Sequence, residues 1–345
     1  MKALVLKEYN HFSYDEVPTP TVGENDVLLA VKACGICGSD VHGMDGSTGR
    51  RQPPVIMGHE AAGEIVDVGS GVKNWKKGDR ATFDSTIYCG QCWFCRRGQI
   101  NLCDNRQVLG VSCDDYRRDG AFAEYVTVPA HILYRLPPGI SFEQAAMVEA
   151  LSIAVHAAGV TPIQLNDTAV VVGSGMIGLL VIQVLRAAGC GKIVAVDPVR
   201  EKLELAGKLG ANILLNPQEK DIQTEVMGLT RQRGADLAFE VVGNAAAMNT
   251  AIGCVRKGGT VTAVGNISPR VEFPLQQVVT RELRVQGTCA SCGDYPACLE
   301  MMAAGMARID DLVSATPPLR EGAEWFHRLY NKEPGLMKVI LRPGE

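Results

Sequence analysis

The chain has no long uninterrupted apolar run, no excess of one charge and few aromatic residues. Its most hydrophobic stretch, Ala169 to Leu185, is 17 residues long and is broken by Gly173, Ser174, Gly175 and Gly178. A membrane-spanning helix needs about 20 apolar residues, so a buried strand, turn and helix explain this stretch better. The formal charge is −4, from 34 basic and 38 acidic residues, with no long block of either sign. Nothing in that balance invites nucleic acid or an anionic membrane. Aromatic residues make up only 6%, and no basic face is interleaved with them, which excludes a zinc-ribbon binder of nucleic acid. The N-terminal MKALVLKEYN has no apolar leader-like core and begins like a strand. No internal repeat and no low-complexity segment is present.

What is present is an ordinary soluble composition, 46% apolar and 21% charged over 345 residues, and that length points to two domains. Twelve cysteines, with no leader expected, suggest a reducing cytoplasm where thiolates bind metal. Four of them, Cys89, Cys92, Cys95 and Cys103, fall within fifteen residues as C-x2-C-x2-C-x7-C. A tetrahedral zinc takes four thiolates at about 2.3 Å, and short spacers let one loop deliver several of them. Disulfides between residues so close in sequence would be strained. The expectation is a closed structural zinc, a staple rather than an active site.

The first ~130 residues read as short strands punctuated by Gly and Pro, among them Asp26–Ala33, Gly63–Val68, Asp79–Phe83 and Ala121–Val128. From Ala145–Gly159, which has helical spacing, the texture changes. Strand candidates Ala169–Val172, Lys192–Val196, Ile213–Leu215, Asp236–Val242, Thr260–Val264 and Arg284–Gly287 then alternate with helical ones such as Met176–Ala188 and Arg200–Leu209. This alternation predicts an α/β fold with a doubly wound parallel sheet. Helices near Tyr295–Gly305 and Gly322–Tyr330 and a strand Lys338–Leu341 close the chain. The tail is short for a domain. The reading is therefore a β-rich domain over 1–150, completed by 290–345, with an α/β domain inserted at 151–289.

Gly173-Ser174-Gly175-Met176-Ile177-Gly178 follows a strand and opens a helix, and Asp197 ends the next strand 19 residues beyond Gly178. That context makes the G-x-G-x-x-G a dinucleotide fingerprint: backbone approaches the pyrophosphate and the helix N-terminus faces its charge. Asp197 accepts hydrogen bonds from ribose hydroxyls and repels a 2′-phosphate, which favours NAD over NADP, although Arg200 lies close by. Lys202, Val242 and Val264 join these residues as cofactor-binding candidates.

Near the N-terminus, Cys34-Gly-Ile-Cys37-Gly-Ser39-Asp40-Val-His42 precedes Gly58-His59-Glu60. No thioredoxin-like context supports a redox C-x-x-C. A mixed set of Cys, His and carboxylate looks instead like a catalytic zinc with one open position. Together the GICGSDVH string, GHE, the four-cysteine loop and the glycine fingerprint resemble the zinc-dependent medium-chain dehydrogenase/reductase family, and within it the sorbitol and polyol dehydrogenase branch with the galactitol-1-phosphate dehydrogenase group. The likeness runs along essentially the whole chain.

The resemblance implies a GroES-like catalytic domain plus a Rossmann domain, two zinc ions per chain and reversible hydride transfer between an alcohol carbon and NAD in the cleft between the domains. It makes Cys37 and His59 zinc ligands and Ser39 and His42 a proton relay. Glu60 and Glu149 compete for the third ligand. Neighbours on an extended strand face opposite ways, which sets Glu60 against His59, and Glu149 stands slightly ahead. Ala150 replaces the proline that usually follows the distal glutamate. Cys34 and His156 read as core residues. The expected substrate is a secondary alcohol of a polyol, sugar or sugar phosphate; the alternative is threonine, butanediol or a simple alcohol. Arg50 with Arg51, and Arg117 with Arg118 after Tyr116, are candidate grips for a phosphate. A homodimer or homotetramer without nucleic-acid or membrane partners completes the expectation.

Overall fold

A computed structural model describes residues 1–344. One unit takes Met1–Glu149, Tyr295–Ala304 and the chain from Ile309 onward, and the other takes Ala150–Asp294 and Gly305–Arg308. The sequence places the seams at 150/151 and 289/290. It does not foretell the small return of Gly305–Arg308 to the second unit, and polar contacts account for that return. Arg308 donates its backbone N–H to Gln183 Oε1 at 2.6 Å and its guanidinium to the Lys208 carbonyl at 3.0 Å.

The second unit is built on six parallel strands in the order Ile213–Leu215, Lys192–Val196, Thr168–Val172, Ala235–Glu240, Val255–Ala263, Arg284–Gly287. Numbered along the unit this is 3-2-1-4-5-6, the doubly wound order, with ligand sites outside the carboxyl ends of the strands. Thr168–Val172 is buried along its whole length, and Lys192–Val196 at every residue but the first. Helices cover such strands on both faces, which is why they read as apolar runs rather than alternating ones. The helix Met176–Ala187 buries eight consecutive residues, Gly178 to Leu185. Among the described residues no helix is long and apolar enough to cross a membrane.

In the first unit the largest sheet has seven strands around Asp26–Gly35, which runs antiparallel to Glu60–Val68 and to the C-terminal Lys338–Leu341. The Tyr125–Pro129 strand also pairs with Asp26–Gly35. Leu29, Ile65, Phe83, Phe122 and Phe326 form its core at 1% exposure or less, each worth about 1.5–3 kcal/mol of burial. The register sets Gly35 opposite Glu60 on one side and Ile340 on the other. A Cβ on Gly35 would lie 2.6 Å from Glu60 Oε2, so a side chain there would make that carboxylate move.

Two expected elements differ. The strand predicted at Ala121–Val128 begins only at Tyr125, because Ala121 and Phe122 spend their N–H groups on the Gly58 and Met57 carbonyls. The helix predicted at Ala145–Gly159 is two, Phe142–Ala146 and Val148–Gly159, and the break places Glu149 in the first turn of the second.

Candidate active site

The four cysteine thiols of the Cys89–Cys103 loop lie within 4.8 Å of one another. A zinc at about 2.3 Å from each would set them about 3.8 Å apart, so the set fits that ion. Backbone N–H groups already point at sulfur: Cys89 N at Cys103, Cys92 N at Cys89 and Cys95 N at Cys92, at 3.3, 3.4 and 3.4 Å. Backbone amides of Gln91 and Cys92 bring the Cys89 thiol down to about 6, while burial pushes Cys95 up to about 12. Four thiolates this close repel one another, and a dication is what lets all four ionise. None of the twelve cysteines is in a disulfide.

A second donor set forms around the helix Gly38–Gly43. Ligand atoms of Cys37, His59 and Glu60 lie within 4.8 Å of one another. His59 precedes the Glu60–Val68 strand instead of belonging to it. The alternation expected to turn these neighbours apart therefore does not apply, and both face one point. Glu149 Oε1 sits 3.8 Å from His59 Nε2, outside that mutual set. Three donors of this chemistry suit a zinc that keeps a position for substrate. Cys34 is fully buried, and burial pushes its thiol well above the usual range, which suits a neutral core residue.

Asp40, to which the sequence motifs assign no role, organises the set. It is fully buried. Its Oδ1 lies 3.3 Å from His59 Nδ1, though too poorly aligned for a hydrogen bond, and accepts two bonds from Arg51, Nε at 3.2 Å and Nη2 at 2.9 Å. Its Oδ2 accepts the Cys37 N–H at 3.4 Å. Burial alone would raise the Asp40 carboxyl, but His59 and Arg51 outweigh it and hold it at about 2. For His59, burial works downward and the Asp40 and Glu149 carboxylates win, raising the imidazole well above its ordinary value. A carboxylate behind one ring nitrogen leaves the other, Nε2, aimed at the donor set, the usual arrangement behind a metal-binding histidine.

Ser39 is exposed, with Oγ 3.5 Å from His59 Nε2. His42 is exposed three residues further along the same short helix. Glu149 is half-buried by area, and burial pushes its carboxyl up to about 7, with Glu60 and Asp84 adding to the effect and His59 opposing it. Tyr295, fully buried, donates its hydroxyl to Glu149 Oε2 at 3.4 Å. It and Lys338, bonded to Glu60, lie far along the chain from either motif, so no spacing could have found them. Asp40 was within reach, as the acidic residue inside the Cys-Gly-Ser-Asp string.

The phosphate-grip expectation needs correction at Arg51, which is 4% exposed and committed to Asp40. Arg50 is exposed and donates to Tyr116 Oη at 3.2 Å, Arg117 to Ser112 Oγ at 3.0 Å and Arg118 to Gln107 Oε1 at 2.7 Å.

In the second unit, Gly173, Gly175, Met176, Ile177 and Gly178 run from the end of Thr168–Val172 into the helix Met176–Ala187. A Cβ on Gly178 would sit 1.9 Å from the Gly173 carbonyl, whereas nothing lies within 4 Å of one on Gly175, the helix N-cap. Ser174 Oγ is buried without a hydrogen-bond partner. An open glycine at a helix N-terminus beside an orphaned hydroxyl fits a pyrophosphate. Asp197 follows the next strand and accepts N–H groups from Ser174 at 2.8 Å and Val199 at 2.9 Å. Arg200 is paired with Glu219 at 3.0 Å, so its charge is already answered. Lys202 lies in the helix Arg200–Lys208, while Val242 and Val264 follow the strands Ala235–Glu240 and Val255–Ala263. His156 Nδ1 is 3.2 Å from Asp294 Oδ2.

Comparison with known proteins decides the family. Residues 23–138 match the alcohol dehydrogenase GroES-like domain and residues 177–304 the zinc-binding dehydrogenase domain. Sorbitol dehydrogenase of Bacillus subtilis is 34% identical over 100% of this chain and 98% of its own. The chain belongs to the zinc-dependent medium-chain alcohol dehydrogenase family. Within this family D-arabitol-phosphate dehydrogenase of Enterococcus avium is 31% identical over 96% of this chain and 94% of its own. The crystal structure of galactitol-1-phosphate dehydrogenase from Escherichia coli superposes with a TM-score of 0.92 at 25% identity, covering 99% of this chain and 100% of that one. The protein is thus a zinc- and nicotinamide-dependent oxidoreductase, and the expected GroES-like and Rossmann folds stand.

Proposed function

We propose that the protein interconverts a secondary alcohol of a polyol, sugar or polyol phosphate with the corresponding ketone, using NAD. The observation that carries this reading is a donor set of one thiolate, one imidazole and one carboxylate, Cys37, His59 and Glu60, with Glu149 beside it. Carboxylates around the reacting hydroxyl give a polar wall suited to vicinal hydroxyls, and relatives named for sorbitol, arabitol phosphate and galactitol 1-phosphate support it. When bound, zinc acts as a Lewis acid on the substrate hydroxyl, and NAD takes up the hydride.

The chain's own residues do the rest. Asp40 fixes the His59 ring, and Arg51 fixes Asp40. Ser39 Oγ would accept the hydroxyl proton while giving up its own through the nicotinamide ribose to His42, three residues on in the same helix, which would release a proton to solvent. The test is a spectrophotometric panel of polyols, sugars, their phosphates, threonine, butanediol and primary alcohols with NAD and NADP. A polyol or polyol phosphate should lead in kcat/KM, NAD should be preferred, and Asp197→Ala should narrow the cofactor gap. Primary alcohols outperforming every polyol would overturn the substrate class without touching the family.

A second copy of the chain is proposed on the edge strand Arg284–Gly287, whose outer side has no partner strand among the described residues. Val279, Leu275, Ile267 and Val285 nearby are 68, 63, 70 and 42% exposed. An open edge with an apolar surround is a template for pairing. The protein should sediment as a dimer or larger, and Val279→Lys with Val285→Lys should release monomer. A monomeric parent protein ends this proposal. Four cysteines gathered for a metal suit a reducing cytoplasm, and fractionation of cells would check it.

A further inference from the structure

Arg135, Arg200, Arg233, Arg256 and Arg328 each lie 2.7–3.1 Å from a carboxylate oxygen, so their charge is answered within the chain. Arg50 and Arg117 differ. Both are exposed, neither forms a salt bridge among the described residues, and both hold neutral oxygens. Arg50 Nη2 donates to Tyr116 Oη at 3.2 Å, and Arg117 donates to Ser112 Oγ at 3.0 Å and to the Gln52 carbonyl at 3.5 Å. Asp114, in the same loop, accepts the Gln52 amide at 2.7 Å instead. Both cations stand beside the donor set. The Arg51 guanidinium lies 3.5 Å from Ser39 Oγ on one side and donates to the Arg50 carbonyl at 3.1 Å on the other. Arg51 also bridges Ser112, and Ser112 pairs with Arg117 in the register of the two short strands. One buried guanidinium therefore separates the exposed Ser39 hydroxyl from an arc of Arg50, Tyr116 and Arg117.

We propose that Arg50, Tyr116 and Arg117 grip the terminal phosphate of a polyol phosphate whose far hydroxyl reacts beside Ser39. A single guanidinium fork satisfies a carboxylate, with its two oxygens and one charge. A phosphate monoester carries nearly two charges and three terminal oxygens, which two forks and a phenol hydroxyl match. An extended carbon chain advances about 1.2 Å per bond, so the phosphate of a pentitol or hexitol lies about 6–7 Å from the reacting carbon, long enough to pass the Arg51 guanidinium. The arc thus makes the phosphorylated compound the substrate and its parent polyol a poor one. The inference rests on reading the substrate as a polyol.

The test is steady-state kinetics on pentitol and hexitol monophosphates, each beside its unphosphorylated parent and the matching aldonate. Each phosphate is also tried as a competitive inhibitor of the best parent polyol, so an isomer that is not turned over still reports binding. The best phosphate should exceed its parent about a hundredfold in kcat/KM. Arg50→Ala and Arg117→Ala should each cut that ratio about tenfold, through KM for the phosphate rather than kcat, and weaken inhibition equally. Arg117→Lys, which keeps the charge but loses the fork, should recover only part of the loss. Arg118, the next residue along the strand, bonds Gln107 instead, and Arg118→Ala should leave the ratio within about twofold. An equal fall in Arg118→Ala would show a diffuse positive field rather than a grip, and the proposal would fall. It would fall too if aldonates led the panel, or if phosphates and parents reacted alike in every variant, with the polyol reading still standing. Primary alcohols outperforming all of them would instead overturn the polyol reading itself.

Discussion

His59→Ala or Cys37→Ser should each lower turnover by about a thousandfold or more while the protein stays folded and binds NADH. The two side chains come from different segments, His59 from the turn before the Glu60–Val68 strand and Cys37 from the start of the helix Gly38–Gly43. They meet because Asp40 ties both, through the Cys37 N–H and the His59 ring. Losing Lewis-acid stabilisation forfeits several kcal/mol, at about 1.4 kcal/mol per factor of ten. The fold should tolerate the change, since the Asp40–Arg51 pair and the core around Leu29 and Ile65 survive it. Zinc content should fall from two per chain to one. NADH fluorescence titration should be unaffected, because the glycine fingerprint lies in the other unit. A His59→Ala protein that keeps both zincs or normal turnover would sink the assignment.

The sequence was most legible where a short strand is sharply bounded. Lys192–Val196 and Ile213–Leu215 were placed to the residue, because short apolar runs bounded by Gly, Asn and Asp leave few alternatives. Boundaries slipped where a loop made strand-like contacts, as at Ala121–Glu124. The helix Gly38–Gly43 was missed: it has six residues, begins and ends on glycine and shows no apolar period. Motif spacing pointed to the four loop cysteines, and the family resemblance pointed to Cys37 and His59. Neither gave their support. Lys338 reaches Glu60 across 278 residues, brought there by sheet register. Arg51 read as a candidate phosphate grip beside Arg50, and only its burial reveals that it serves Asp40. Local pattern shows what chemistry a chain owns, while tertiary pairing decides which charged residues are spent on holding it.

Cys92→Ser should have the opposite profile, costing stability rather than chemistry. Its loop carries little core of its own: Trp93 is 59% and Leu102 42% exposed, and Cys103 is the one thiol of the four that is buried. Order there depends on four thiolates sharing one cation, so removing a ligand releases the chain between Cys89 and Cys103. A loss of about 2–3 kcal/mol would lower Tm by roughly 5–10 °C for a unit of this size. Soluble yield should fall and proteolysis within the loop should quicken, while kcat per folded molecule stays within about twofold, since none of the four thiols belongs to the Cys37, His59 and Glu60 set. Zinc should again drop to one per chain, but here the remaining ion supports turnover. The same zinc count with opposite losses, activity for His59→Ala and stability for Cys92→Ser, separates the two centres. A Cys92→Ser protein as stable as its parent, or one inactive though fully folded, would show that the loop is not a structural staple.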